Sequence, residues 1–184
     1  MGNKVVELLN SRFAGRSITS EPLEKAIVAE LIQAARLTPS CFNNQPWRFL
    51  FLQSADAIAK GTEALSAGNK PWAGRAPLLI VGYTRATDDC QLPDGREYHQ
   101  FDLGMSVMNI LLAATHHGLA ARPMAGFDPA KIKQLFKLEE DCQPLVMISV
   151  GHTSTDESHL PKHYLGKAHS PRERKDADEI VTKL

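Results

Sequence analysis

The chain has 184 residues, a length that fits one domain of ordinary size. It is 43% hydrophobic and 23% charged, and its 21 lysines and arginines balance 21 aspartates and glutamates. That balance excludes a global basic field for nucleic acid or an anionic membrane surface, so any bound anion must be met by a local group of arginines.

The opening residues, MGNKVVE, lack the apolar stretch of a signal peptide, and Val6 stands where a myristoylation motif needs Ser or Thr. The longest apolar stretch, around 105–114, includes Asn109 and is too short to span a bilayer. Cys41, Cys90 and Cys142 are odd in number and form no CxxC pair. Reduced thiols in a cytoplasmic protein are the expectation.

In chain order, Leu23, Ile27, Leu31, Ala34 and Ala35 recur at helical spacing, with Ser20 as a cap, Pro22 in the first turn and Pro39 as the stop. RFLFL at 48–52 reads as a strand. Ala55, Ile58, Ala59, Thr62 and Leu65 mark a second helix, closed by Gly68 and Asn69. PLLIVGY at 77–83 is apolar at almost every position, as in a strand buried on both faces. A long helix over 98–117 is apolar almost all round and must be covered on every side, either centrally or at a subunit interface. A short strand over 119–124 follows, then a helix capped by Asp128 with Pro129 in its first position, then a strand over 145–150. Residues 152–184 are polar, interrupted by Pro161 and Pro171, and look unable to build a core of their own. The pattern is a mixed α+β chain without the regular βαβ alternation of a doubly wound sheet.

Several chemistries are absent from the sequence. There is no GxGxxG, no GxxxxGK[ST], no HExxH, no paired-cysteine zinc pattern and no GxSxG. His159 and His163 are four apart, but Pro161 works against a helix presenting both to a metal.

Four segments carry positive signals. Arg12-Phe13-Ala14-Gly15-Arg16 places two guanidiniums beside a glycine, and guanidiniums suit phosphate through planar charge-assisted hydrogen bonds. Residues 39–47 bunch Ser40, Asn43, Asn44 and Gln45 between Pro39 and Pro46; this is either a stiff turn or the edge of a site for a polar heterocycle. Pro123-Met124-Ala125-Gly126 lies between a strand and a helix start, where small residues let backbone N–H groups approach a flat ligand. Arg172 and Arg174 form a basic cluster in the tail.

Taken in order, RxxxR, AARLTPSxxNxQPWRF, GN…APLLIV, QFDLGMSVMNILLAATHHGL, PMAGFDP and RxRK resemble the nitroreductase family of FMN-dependent oxidoreductases. The resemblance implies a central, mostly antiparallel sheet flanked by helices, in a homodimer with FMN at the subunit interface. Residues 1–151 would form the FMN-binding core, and 152–184 an extension that wraps the partner and completes the phosphate site. It implies that Arg12, Phe13, Ala14 and Arg16 meet the FMN phosphate and ribityl end, with Arg172 and Arg174 closing the same anion site. Pro39, Ser40, Asn43 and Gln45 would reach the flavin edge from the other subunit. Asn69 would read the pyrimidine ring, and Pro123, Met124, Ala125 and Gly126 would line the isoalloxazine. No protein residue would act as acid or base, because hydride passes from NAD(P)H to flavin N5 and on to a nitroaromatic, quinone or related acceptor in ping-pong fashion. A flavin carrier or sensor without turnover, and a relative with other flavin chemistry such as reductive dehalogenation, are the alternatives. The chain departs from the family where Ala14 replaces a usual Ser and Ala125 replaces a frequent Glu; the first change removes a hydroxyl from the phosphate site.

Overall fold

A computed structural model of the chain describes residues 3–167 and 172–184. In chain order its elements are α1 (Lys4–Ser11), α2 (Lys25–Arg36), β1 (Arg48–Leu52), α3 (Ala55–Ala64), α4 (Lys70–Ala73), β2 (Leu78–Thr84), α5 (Tyr98–His116), β3 (Leu119–Met124), α6 (Pro129–Phe136), β4 (Gln143–His152) and α7 (Ala177–Ile180). The strands form one antiparallel sheet in the order β1-β2-β4-β3, with Leu50 opposite Val81, Ile80 opposite Ile148, and Pro123 opposite Ile148.

The two inner strands explain the two-layered core. Side chains alternate along a strand, so an apolar residue at every position demands cover on both faces. Leu78, Ile80, Ile148 and Val150 pack with Leu103, Val107, Ile110 and Leu31 on the side of α2 and α5. Leu79, Val81 and Met147 pack with Trp72, Ile132 and Ala64 on the side of α3, α4 and α6. The same alternation along β3 sends Leu119 and Ala121 toward α5. Ala120 and Met124 face the Trp72 side, and so does Arg122, two residues from each.

The apolar helix α5 solves its burial problem only in part. Asp102, Leu103, Ser106, Val107, Ile110, Leu111 and Ala114 are buried against the sheet and α2. Phe101, Met105, Met108 and Leu112 recur on the other side at spacings of four, three and four. Phe101 is 55% exposed there, and the other three are half-buried. Val5, Val6 and Leu9 of α1 and Ile32 of α2 are also exposed apolar residues.

Among the differences from the sequence expectation, three have a clear physical cause. First, α2 begins at Lys25 rather than near Ser20, and Ser20 caps nothing. Ile18 bridges Thr153, and the Thr19 N–H donates to the His152 carbonyl at 2.9 Å, which holds the lead-in extended. Pro22 disfavours the helical conformation at Glu21 before it. Second, α1 arises from a cap that the sequence reading did not use: the Asn3 side chain accepts from the N–H groups of Val5 and Val6. Third, Cys41 and Cys90 are joined as a disulfide, with Cα atoms 6.3 Å apart, whereas reduced thiols were expected. The cysteines meet because the turn before β1 and the segment before α5 fold together, a closeness that a separation of 49 residues conceals. Among the described residues, no helix is long and apolar enough to cross a membrane.

Candidate functional site

After α1, the chain runs along the outer edge of β3. The Ala121 N–H donates to the Phe13 carbonyl at 3.4 Å, and Arg122 Nη1 donates to the Ala14 carbonyl at 2.6 Å. At this bend Gly15 lets the Phe13 ring lie close, since a Cβ there would be 2.5 Å from its Cε1. The Arg16 guanidinium stacks 3.8 Å from the centre of the Tyr164 ring and 5.9 Å from the Trp72 ring. From the tail, Arg172 Nη1 donates to the Arg12 carbonyl at 2.6 Å, and Nη2 donates to the Asn10 carbonyl.

Beside them lies a cavity of about 480 Å³ that presents Arg12, Arg16, Arg122, Lys167 and Arg172 and, among the described residues, no carboxylate. Phe13 and Ala14 are in its wall. Arg16 Nε is buried without a hydrogen-bond partner. Burial pushes the Arg122 guanidinium below its ordinary pKa, and the neighbouring charge of Arg16 pushes it the same way. Cations gathered in a recess without a counter-charge are a receptor for an anion. Arg174 lies in a smaller adjoining cavity with Arg12 and Arg172.

Beyond Arg122, β3 leads to the second group. Met124 is buried, whereas Pro123 and Ala125 are exposed. Asn69 Nδ2 donates to the Gly126 carbonyl at 3.0 Å, and the Ser66 N–H donates to the same oxygen at 2.9 Å. Gly126 has no room for a side chain, since a Cβ would meet Asn69 Nδ2 and Ser66 Oγ, each at 2.8 Å. Asn69 and the turn at 123–126, distant in sequence, are thus one unit, and β3 connects it to the arginine cavity.

Pro39, Ser40, Asn43 and Gln45 are not in the lining of that cavity. Their loop is held at the start of α5 and the end of β2. The Cys41 N–H donates to Asp102 Oδ2 at 2.8 Å, and Thr84 Oγ1 donates to the Pro46 carbonyl at 3.0 Å. Phe42, Asn43 and Gln45 have φ of 47°, 58° and 52°, the left-handed region that non-glycine residues adopt only when neighbours impose it. Here Ser40 Oγ accepts from the Gln45 N–H at 2.9 Å, and Gln45 Nε2 donates to the Asn43 carbonyl at 3.0 Å. The chain therefore presents two separate groups of the residues that its sequence singles out.

The nitroreductase family model matches residues 9–70 and 58–152, a span that includes α2, the 39–47 loop, the whole sheet and the turn at 123–126. The chain belongs to the nitroreductase family. A Streptomyces coelicolor protein provisionally named NADH dehydrogenase/NAD(P)H nitroreductase is 28% identical over 154 residues, covering 74% of this chain and 76% of that protein. A nitroreductase family protein from Clostridium difficile has a TM-score of 0.80 at 25% identity, covering 99% of this chain and 98% of its own. An oxidoreductase containing FMN has a TM-score of 0.85 at 23% identity, covering 96% and 89%.

Several lining side chains lie outside the local sequence motifs, Arg122, Tyr164 and Lys167 among them. Arg122 carried a usable signal, being a cation inside a short strand at an inward-facing position. Tyr164 and Lys167 carried none, because only the path of the tail brings them to Arg16. That tail was expected to wrap a partner. Its residues Leu160 and Tyr164 pack on the core of their own chain, Leu160 buried and Tyr164 over Arg16.

Proposed function

We propose that this nitroreductase-family chain binds FMN and acts as an oxidoreductase, taking electrons from NAD(P)H and delivering them to an electrophilic acceptor such as a nitroaromatic or a quinone. The observation that carries the reading is the arginine cavity, with its orphaned Arg16 Nε and, among the described residues, no lining carboxylate. A phosphate monoester supplies the acceptor oxygens and the charge that this donor set lacks. Arg12, Arg16, Arg122 and Arg172 would hold the phosphate, with Arg174 beside them. Phe13 and Ala14 would wall the ribityl end.

The ring system would be met by Asn69, Pro123, Met124, Ala125 and Gly126. Bound FMN supplies reversible hydride and electron chemistry that no side chain of this chain offers. The amide of Asn69 fixes the turn at 126, so the backbone there is set before any ligand arrives. Pro39, Ser40, Asn43 and Gln45, remote from the cavity of their own chain, would complete the site from a second copy. The uncovered face of α5, with Phe101, Met105, Met108 and Leu112, is the surface on which that copy would sit. Residues 1–151 would then be the binding core, and 152–184 the extension that closes the phosphate end.

Visible absorption of the purified protein, before and after adding FMN and then NADH under argon, tests this directly. A protein-bound flavin spectrum that bleaches with NADH and returns with a quinone is expected. Arg16→Ala should raise the FMN Kd about 10- to 100-fold, the worth of one or two hydrogen bonds to a charged group. A protein that stays colourless and binds no FMN overturns the reading.

A further inference from the structure

The disulfide between Cys41 and Cys90 lies in an environment that a disulfide does not need. Asp89 and Asp102 are 7% and 0% exposed, and each keeps one carboxylate oxygen buried without a hydrogen-bond partner. Among the described residues, no lysine, arginine or histidine forms an ion pair with either carboxylate. Both carboxylates flank the same pair of sulfurs, Asp102 through the Cys41 N–H and Asp89 beside Cys90 Sγ, and a buried carboxylate without a counter-charge is a place for a cation. The other Asp89 oxygen accepts from Asn44 Nδ2 at 3.3 Å and lies 3.4 Å from Cys90 Sγ. A disulfide sulfur has no proton to give that oxygen, whereas a thiol has. One ligand atom each from Cys41, Asp89 and Cys90 lie within 4.8 Å of one another. Tetrahedral zinc with two sulfur ligands and one oxygen needs separations of about 3.5–3.8 Å, close enough for side-chain rotation to supply.

We propose that Cys41, Asp89 and Cys90 form, once the disulfide is reduced, a binding site for one Zn(II) ion. A small cellular thiol reduces the bridge by exchange: two R′SH and the Cys41–Cys90 disulfide give two protein thiols and one R′S–SR′. Zn(II) then displaces the two thiol protons, and the Asp89 carboxylate and a water complete four ligands. Two thiolates and one carboxylate around a dication leave a single net negative charge. Asp102 holds the backbone of the Cys41 ligand in place, its Oδ2 accepting from the Cys41 N–H at 2.8 Å. Both cysteines are half-buried, so reductant and metal can reach them. The ion would tie the 39–47 loop to the segment before α5 without the covalent bond. This inference does not depend on FMN binding.

The test compares the oxidised wild-type protein with the same protein reduced by a phosphine and desalted under argon. Thiol titration should rise from one group per chain to three, since Cys142 is already free. Zn(II) competition with a chromophoric chelator should then show one tight site per chain in the reduced protein and none in the oxidised protein. Reduced Cys90→Ser should lose the site, and Asp89→Asn should weaken it about 10- to 100-fold, with circular dichroism confirming that both are folded. A reduced protein with three titrated thiols that takes up no Zn(II) overturns the proposal. So does a bridge that cannot be reduced, or zinc uptake that is unchanged in Cys90→Ser.

Discussion

Arg122 is the residue whose placement says most about the cavity. A guanidinium on the inward face of β3 would be a cost to folding, yet it sits 5.6 Å from the Trp72 ring and holds the Ala14 carbonyl. It thereby fixes the backbone between Arg12 and Arg16 and contributes charge to the same space. Arg122→Ala should weaken FMN about 10- to 100-fold by titration, and Arg122→Lys should recover little, because an ammonium cannot make the planar contacts. Equal FMN affinity in Arg122→Ala would remove it from the site. At Asp102, burial raises the carboxyl above its usual range, the Cys41 N–H opposes that rise, and Asp89 adds to it. The native chain therefore keeps this proton at pH values where the unfolded chain has lost it. Stability from this group falls as pH rises from the ordinary carboxylate range through the raised value. Asp102→Asn keeps an acceptor for Cys41 and removes that penalty. Without added metal, its Tm gain over wild type should widen from about pH 4 to about pH 7; a gain independent of pH would count against the buried charge.

At the scale of elements, β4 carries the fold, pairing with β2 on one side and β3 on the other. Its end is closed by the segment around Ile18, which crosses at Gly151. A Cβ at Gly151 would lie 2.7 Å from Ile18 Cγ2 and 2.8 Å from Pro77 Cδ. A β-branched side chain and a proline ring have little freedom to withdraw. Gly151→Ala should destabilise the protein by about 1–3 kcal/mol in urea unfolding, despite the entropic advantage of alanine in the unfolded chain. An unchanged or higher midpoint would show that the crossing is looser than its distances indicate.

For the whole molecule, the question is what covers α5. Its inner face is built into the sheet, while its outer face leaves Phe101 exposed and lies beside the exposed Val5 and Leu9 of α1. The 20.3 kDa chain should sediment as a dimer, and Phe101→Glu should shift it toward the monomer by desolvating a charge at the interface. If the flavin edge is completed by a second copy, the same variant should lose FMN affinity along with its dimer mass. A monomeric wild-type chain that binds FMN fully would refute the shared site.

The residues alone determined the secondary elements wherever a local pattern was unambiguous. β1, β2, β3 and the capped start of α6 lie within a residue or so of their expected bounds, because alternation and capping act between near neighbours. The arginines at 12 and 16 and the glycine between them were legible for the same reason: their chemistry and spacing lie within one turn of chain. Periodicity misplaced the start of α2, since the pairing of Ile18 and Thr19 with residues 152–153 overrides the local preference near Ser20. Nothing local marks Arg122 as a neighbour of Arg16, Asn69 as a partner of Gly126, or Cys41 as a partner of Cys90. Each of these pairs is separated by dozens of residues and is brought together only when the sheet, its two helical layers and the returning tail have closed. The order of residues set which groups were available. Which of them share a space was set only by folding, because burial and long-range contact are properties of the closed fold and not of the chain.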